Sequence, residues 1–417
     1  MGGIALFVEG LRCRECGREA EIAAVHVCEF CFGPLEVVYD YEGMAKAVSR
    51  DRISKGPRSL WRYADMLPML PGTTEADHVD LGAGYTPLVR APRLGAKLGL
   101  RDLWVKNDTL NPSFSFKDRV VSVALTVARS LGFDTAACAS TGNLANSVSA
   151  HAAAAGMDAY VFVPSDLEET KILASAVYGP KLVAVKGTYD DVNRLCGEIA
   201  GEFGWAFVNV NVRPYYAEGS KTIGYEVAEQ LGWQLPEHLI APMASGSMLV
   251  KIDKAFTELV TLGLVEETPW RISGAQATGC APISTALNDG TGFVRPVKPD
   301  TVAKSLAIGN PADGYYAIDA VRRTGGAMGD VSDDEIIGGI RTLAETEGIF
   351  AETAGGVTVA TLAKLVEQGR IDPSARTVAV ISGIGLKTTD AVAPMLSPTH
   401  TINAGLSDFQ EAVKLDV

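Results

Sequence analysis

From about residue 81 the chain alternates short apolar runs with stretches whose apolar residues recur at helical spacing. Over 118–131 that spacing is carried by Val120, Val121, Ala124, Leu125, Ala128 and Leu131, and Gly132 ends it. A strand is predicted at 135–139, a helix of small residues at 144–155 stopped by Gly156, and a second strand at 159–163. Runs at 181–185, 206–210, 238–243, 271–275 and 377–381 read as later strands. Apolar strands separated by helices predict an α/β architecture, its mainly parallel sheet covered on both faces. Such sheets bind ligands beyond the carboxyl ends of their strands, so reactive groups are expected directly after them.

The segment before residue 81 has a different texture. Residues 1–45 hold four clustered cysteines, and 46–80 form a linker broken by Pro57, Pro68, Pro71 and Gly72. The α/β core then divides into 81–215 and 216–417. Cys13 and Cys16, and again Cys28 and Cys31, make two C-x2-C pairs with 11 residues between them. Each pair can form a tight knuckle, and four thiolates complete a closed tetrahedral site, so a structural zinc is expected rather than a catalytic one. His26 could replace one thiolate, and a hairpin of free thiols is the alternative. Cys138 and Cys196 fall in strand and helix patterns and read as small core residues.

Four turns carry candidate chemistry. Lys117 stands at the start of a strong helix after Asn111-Pro-Ser-Phe-Ser-Phe, where an amine suits imine formation. Ser140-Thr141-Gly142-Asn143 follows a strand and opens a helix, a place where backbone N–H groups and hydroxyls receive a carboxylate. Ser245-Gly246-Ser247-Met248 sits between strand and helix and can wrap a phosphate. Ser382, in Ser-Gly-Ile-Gly-Leu-Lys after the last strand, could offer a hydroxyl to a ring nitrogen. Each turn alone is also an ordinary capping or connecting loop. No G-x-S-x-G, H-E-x-x-H, Walker or G-x-G-x-x-G motif competes with them.

Composition narrows the partners. A net charge of -13 opposes a nucleic-acid or anionic-membrane surface, which needs clustered positive charge. Apolar runs are of strand length, far below the roughly 20 residues that span a bilayer. The opening MGGIALFVEG has no signal-peptide pattern, and seven cysteines with four in a metal-like cluster suit a reducing compartment. The expectation is a cytoplasmic protein acting on a small molecule.

The runs NPSFSFKDR, CASTGNLANSVSAHAAAAGM, GNPADG, EGIFAETAGGVTVA and SGIGLK, in this order, resemble the threonine synthase family of the type with an N-terminal cysteine cluster. The resemblance includes CRECG and HVCEFCFGPLEVVYDY and so covers nearly the whole chain. It implies a fold type II pyridoxal-phosphate enzyme: two open, twisted, mainly parallel sheets flanked by helices, with a small cysteine-rich ribbon, usually a homodimer. It implies that Lys117 forms the imine with pyridoxal 5′-phosphate and moves protons. Asn143 would contact the 3′ oxygen, Ser245, Gly246, Ser247 and Met248 the cofactor phosphate, and Ser382 the pyridine nitrogen. A neutral partner at that nitrogen would disfavour its protonation. Ser140 and Thr141 would hold the substrate carboxylate, and Asn209, Asn211, Arg213 and Lys221 are the candidates for a substrate phosphate. The implied reaction takes O-phospho-L-homoserine and water to L-threonine and phosphate. Phe114, Leu144 and Ile384 depart from the family pattern, which leaves open a relative performing β- or γ-replacement or elimination on another phosphorylated or hydroxy amino acid.

Overall fold

Burial alternates along the first strands as a half-covered antiparallel sheet demands. The computed structural model, which describes residues 6–140, 142–165, 169–186, 189–393 and 398–413, opens with β1 (Val8–Cys13), β2 (Glu19–Ala20) and β3 (Leu35–Tyr39). They pair antiparallel in the order β2-β1-β3. This ribbon is no separate body: Leu11, Val37 and Tyr39 pack into the same apolar cluster as Val120, Val121 and Ile223. Tyr39 donates to Glu218 at 2.8 Å, and Tyr215 donates to the Ala23 carbonyl at 3.0 Å.

The chain then forms β4 (Leu88–Arg90), β5 (Leu103–Asn107), β6 (Thr135–Ala139), β7 (Asp158–Pro164), β8 (Lys181–Val185) and β9 (Ala206–Phe207). It continues with β10 (His238–Pro242), β11 (Arg271–Ala277), β12 (Met328–Val331) and β13 (Thr377–Ile381). Two sheets result. The larger runs β12-β11-β10-β13-β5-β4, parallel except where β4 meets β5, and the smaller is the parallel β8-β7-β6-β9. The smaller sheet lies within the 81–215 span, while β4 and β5 of that span join the larger one. All five residues of β6, β10 and β13 are buried, as apolar strands covered by helices on both faces must be.

One strand expectation is shortened for a local reason. The run 206–210 pairs only as far as Phe207, because Asn211 Oδ1 accepts from Phe207 N at 2.9 Å and its Nδ2 donates to the Trp205 carbonyl at 2.9 Å, turning the chain. The run 181–185 is part exposed, since β8 is an edge strand. The helices Lys117–Ser130 and Asn143–Ala155 lie within a residue of the predicted spans. Gly156 ends the second at φ 66°, a left-handed conformation that glycine adopts without strain. Among the described residues no helix is long and apolar enough to cross a membrane.

Buried under these layers is a charged knot. Arg119, on the Lys117–Ser130 helix, bonds Asp108 through Nε at 2.7 Å and Nη2 at 2.8 Å, and both its terminal nitrogens reach Glu226. Lys106 joins from β5, donating to Glu226 at 2.6 Å and to the Thr86 carbonyl at 2.7 Å. All four side chains are buried, so each charge is held by its partners rather than by water.

Candidate active site

β5 and β13 are paired in register to their last residues, Asn107 opposite Ile381, so the loops that follow leave the sheet side by side. Phe116 N donates to the Ser382 carbonyl at 2.8 Å, and Ser115 bridges Gly383. This seats Lys117 next to Ser382. Asp118 fixes the approach to the lysine: its carboxylate accepts from Ser113 N at 2.6 Å, Ser113 Oγ at 2.5 Å and Ser147 Oγ at 2.7 Å. The half-buried Lys117 amine meets Tyr216 Oη at 2.9 Å.

Asn143 arrives from the smaller sheet, at the first turn of the helix after β6. Its Oδ1 accepts from Lys387 Nζ at 2.9 Å and its Nδ2 donates to Glu352 Oε2 at 2.8 Å. The other Glu352 oxygen, Oε1, accepts from Ser382 Oγ at 3.1 Å. Lys387 also donates to the Ser113 carbonyl at 2.5 Å. Burial raises the Glu352 carboxyl above its ordinary range, against the pull of Asn143, Lys387, Ser382 and Lys117. Burial lowers the Lys387 amine, with Glu352 and Asp118 opposing.

Gly383 is required where the carboxylate lies, since a Cβ there would stand 2.6 Å from Glu352 Oε1. Ser245 to Met248 leave β10, the neighbour of β13, and open the Ser247–Thr261 helix. Gly246 caps that helix at φ 92°, and a Cβ on it would meet the Asp313 carbonyl at 3.0 Å. The open N-terminus of a 15-residue helix favours an anion.

The structure thus brings Lys117, Asn143 and Ser382 together, with the Ser245 loop on the neighbouring strand. Ser140 lies beside Asn143, its Oγ accepting from Gly142 N at 3.3 Å, while Thr141 lies outside the described residues. Arg213 Nη2 pairs with Asp313 Oδ2 at 2.5 Å, and Asp313 N donates to the Ser245 carbonyl at 3.0 Å, so the arginine reaches the loop through an acid. Asn209 keeps a buried Oδ1 without a partner.

Two expectations do not carry over. Asn211 spends its amide on the turn after β9. Lys221 is fully buried between Glu218 at 2.7 Å and Glu258 at 3.1 Å, and donates to the Met66 carbonyl, so it neutralises core carboxylates rather than meeting a ligand. Sequence reasoning passed over Glu352, Lys387 and Tyr216. The first two stand in motifs quoted for the resemblance, EGIFAETAGG and SGIGLK, and that placement was the available signal. A cavity of 1130 Å³ lined by Arg50, His238, Arg271 and Arg376 lies at the opposite, N-terminal ends of β10, β11 and β13.

These groups fit a pyridoxal phosphate: an amine for the carbonyl carbon, an amide with a spare N–H, a hydroxyl and a helix N-terminus for the phosphate. At the ribbon the four cysteine Sγ atoms lie within 4.8 Å of one another, close enough to share one metal ion.

Comparison with known proteins agrees. Residues 79–383 match the family model described as pyridoxal-phosphate dependent enzyme. The chain is 38% identical to a threonine synthase of Methanocaldococcus jannaschii, over 91% of this chain and 93% of that protein. It is 34% identical to one of Methanosarcina acetivorans, over 97% and 98%. Among solved structures, the processed form of threonine deaminase isoform 2 from Solanum lycopersicum superposes with a TM-score of 0.61 at 22% identity, covering 79% of this chain and 82% of that one. Diaminopropionate ammonia lyase from Escherichia coli in complex with D-serine gives 0.62 at 18%, covering 75% and 88%. Shared fold, matching family model and long alignments together mean that this chain belongs to the pyridoxal-phosphate-dependent enzymes and, among them, to the threonine synthases.

Proposed function

We propose that the chain converts O-phospho-L-homoserine and water to L-threonine and phosphate. The observation that carries this reading is the convergence of Lys117, Asn143 and Ser382 beside an open helix N-terminus, in a chain aligned nearly end to end with threonine synthases. Pyridoxal phosphate supplies the electron sink for charge that builds on the substrate carbons.

In this reading Lys117 carries the amine chemistry, taking the proton from the substrate α-carbon and returning protons further along the chain. Tyr216 holds its Nζ in place. Lys387 accepts no hydrogen bond, so it fixes the Asn143 amide with Oδ1 towards itself, and Glu352 takes one N–H. The second N–H is left for the 3′ oxygen. Ser382 faces the pyridine nitrogen, and Ser245, Gly246, Ser247 and Met248 receive the cofactor phosphate. Ser140 and Thr141 bind the substrate carboxylate, and Asn209, with its unpartnered Oδ1, and Arg213 border the substrate phosphate. Phosphate release and threonine formation in equal amounts from O-phospho-L-homoserine test the assignment, and phosphate without threonine would sink it.

Gly246→Ala forces a side chain onto a left-handed backbone and against the Asp313 carbonyl, a strain of about 1–3 kcal/mol. Cofactor affinity, read by fluorescence titration of the stripped enzyme, is expected to fall about five- to a hundredfold as the strained loop relaxes away from the phosphate, since each 1.4 kcal/mol is a factor of ten. Unchanged affinity would remove the phosphate from this loop.

The ribbon is read as a structural zinc site. Backbone N–H groups of Cys31 and Phe30 draw the Cys28 thiol down to about 7, which favours the thiolate a metal needs. Metal analysis is expected to give one zinc per chain, lost in a Cys13→Ser, Cys16→Ser double variant with a lower Tm. A metal-free wild type of equal stability would refute it. The reading also includes a cytoplasmic homodimer, supported by free thiols at all seven cysteines and by the family resemblance.

A further inference from the structure

The hydroxyl of Ser382 is already committed. It donates to Glu352 Oε1 at 3.1 Å, and that carboxylate has no water to lean on, being 2% exposed. A serine whose proton points at a carboxylate presents a lone pair on its other side. A lone pair can serve a ring nitrogen only if that nitrogen carries a proton. The alternative arrangement has the proton on Glu352, which donates to Ser382, which in turn donates to a bare nitrogen. The two arrangements contain the same atoms and differ by one concerted shift along Glu352, Ser382 and the ring.

The geometry points to Glu352 as the group that, through Ser382, supplies and holds the proton on the pyridine nitrogen of bound pyridoxal phosphate. This rests on the reading that Ser382 faces that nitrogen, and it revises the expectation that a neutral hydroxyl keeps the nitrogen unprotonated.

Three observations carry it. Glu352 is placed for this contact rather than for its own helix, since it caps the Thr353–Glu367 helix without any side-chain cap hydrogen bond. Gly383 clears the space for its carboxylate, and the backbone N–H of Glu352 is tied to the Gly383 carbonyl at 2.9 Å. Its remaining oxygen binds Asn143, the residue assigned to the 3′ oxygen on the same edge of the ring, so one carboxyl group supports both contacts. Burial favours the protonated acid, while the facing cations Lys387 and Lys117 favour the carboxylate. A group balanced in this way can pass its proton over a single hydroxyl. Glu352 acts through Ser382 and is a positioning residue, not one that touches the substrate.

The test is the 15N resonance of ring-labelled pyridoxal phosphate bound to the intact holoenzyme, followed with the absorption spectrum. Wild type is expected in the pyridinium region, and a free-pyridine resonance in wild type overturns the proposal whatever the variants do. In Glu352→Gln, a neutral isostere whose carbonyl oxygen must accept from Asn143 Nδ2 and so turns its N–H towards Ser382, the resonance is expected to move to the free-pyridine region. Ser382→Ala should move it as well, and Ser382→Thr should restore it. A resonance moved by Ser382→Ala but not by Glu352→Gln overturns the proposal and leaves the Ser382 placement intact. A resonance indifferent to Ser382→Ala removes the placement itself. If Glu352→Gln does not load cofactor, the wild-type resonance still decides.

Discussion

Lys117→Ala is expected to abolish the visible absorption of the bound cofactor and to cut threonine formation by about 10⁴-fold or more, the upper end of what one positioned acid–base group contributes. Two buried or half-buried amines stand in this site, and the geometry separates their tasks. Lys387 divides its donors between the Ser113 carbonyl and Asn143 Oδ1, so its nitrogen is fixed in place. Among the described residues Lys117 makes one hydrogen bond, to Tyr216, and an amine so lightly held is free to attack and to leave. Because little else depends on that side chain, Tm of the stripped variant should match wild type within about a degree, the range expected for a change that removes no packed core. Survival of the band in Lys117→Ala, with its loss in Lys387→Ala, would reverse the two roles.

Arg119→Met is expected to produce the largest loss of stability, about 3–5 kcal/mol in urea unfolding at fixed cofactor concentration, the usual result of stripping one partner from buried charges. Methionine fills the space but leaves Asp108 with the Thr86 hydroxyl and Glu226 with Lys106 and the Tyr85 N–H, neither carboxylate keeping the arginine. Acid should expose the same interaction in wild type. Burial pushes the Glu226 carboxyl up, but Arg119 and Lys106 overcome it and hold it down at about 2. A folded value below the unfolded one, near 4.3, means that the contribution is complete above pH ~4.3 and disappears as pH falls towards 2. That difference corresponds to about 3 kcal/mol. In Arg119→Met the acid transition should therefore begin at higher pH. An unaltered acid limb would show that Glu226 is stabilised by something other than the arginine.

What could be read in the chain and what could not differ by range. Strands such as 135–139 and 377–381 are legible because burial on both faces demands an uninterrupted apolar run. Lys117, Asn143 and Ser382 are legible because each follows or opens a regular element, where ligand groups of an α/β sheet stand. Glu352 is not, because its value comes from partners 209 and 30 residues away and nothing local marks it. Lys221 misleads for the converse reason. A lysine near an arginine and two asparagines looks like a phosphate cradle, and only packing reveals Glu218 and Glu258 on either side of it. Chain order alone does not place β4 and β5, since pairing partners in a sheet need not be neighbours in sequence.

That pairing of β5 with β13 has a consequence for how the enzyme is made. The strand that carries the chain to its reactive lysine has β4 on one edge early but finds its parallel partner only when residues 377–381 arrive, and Lys387 locks onto the Ser113 carbonyl across 274 positions. A ribosome releasing the chain from its N-terminus exposes the finished smaller sheet long before the larger one can close. A nascent chain that stops before residue 382 therefore lacks both the Ser382 hydroxyl and the Lys387 amine of the site, and one that stops before 352 lacks the Glu352 carboxylate as well. Cofactor capture becomes the last event of synthesis, and truncated products should leave the ribosome unable to sequester the vitamin.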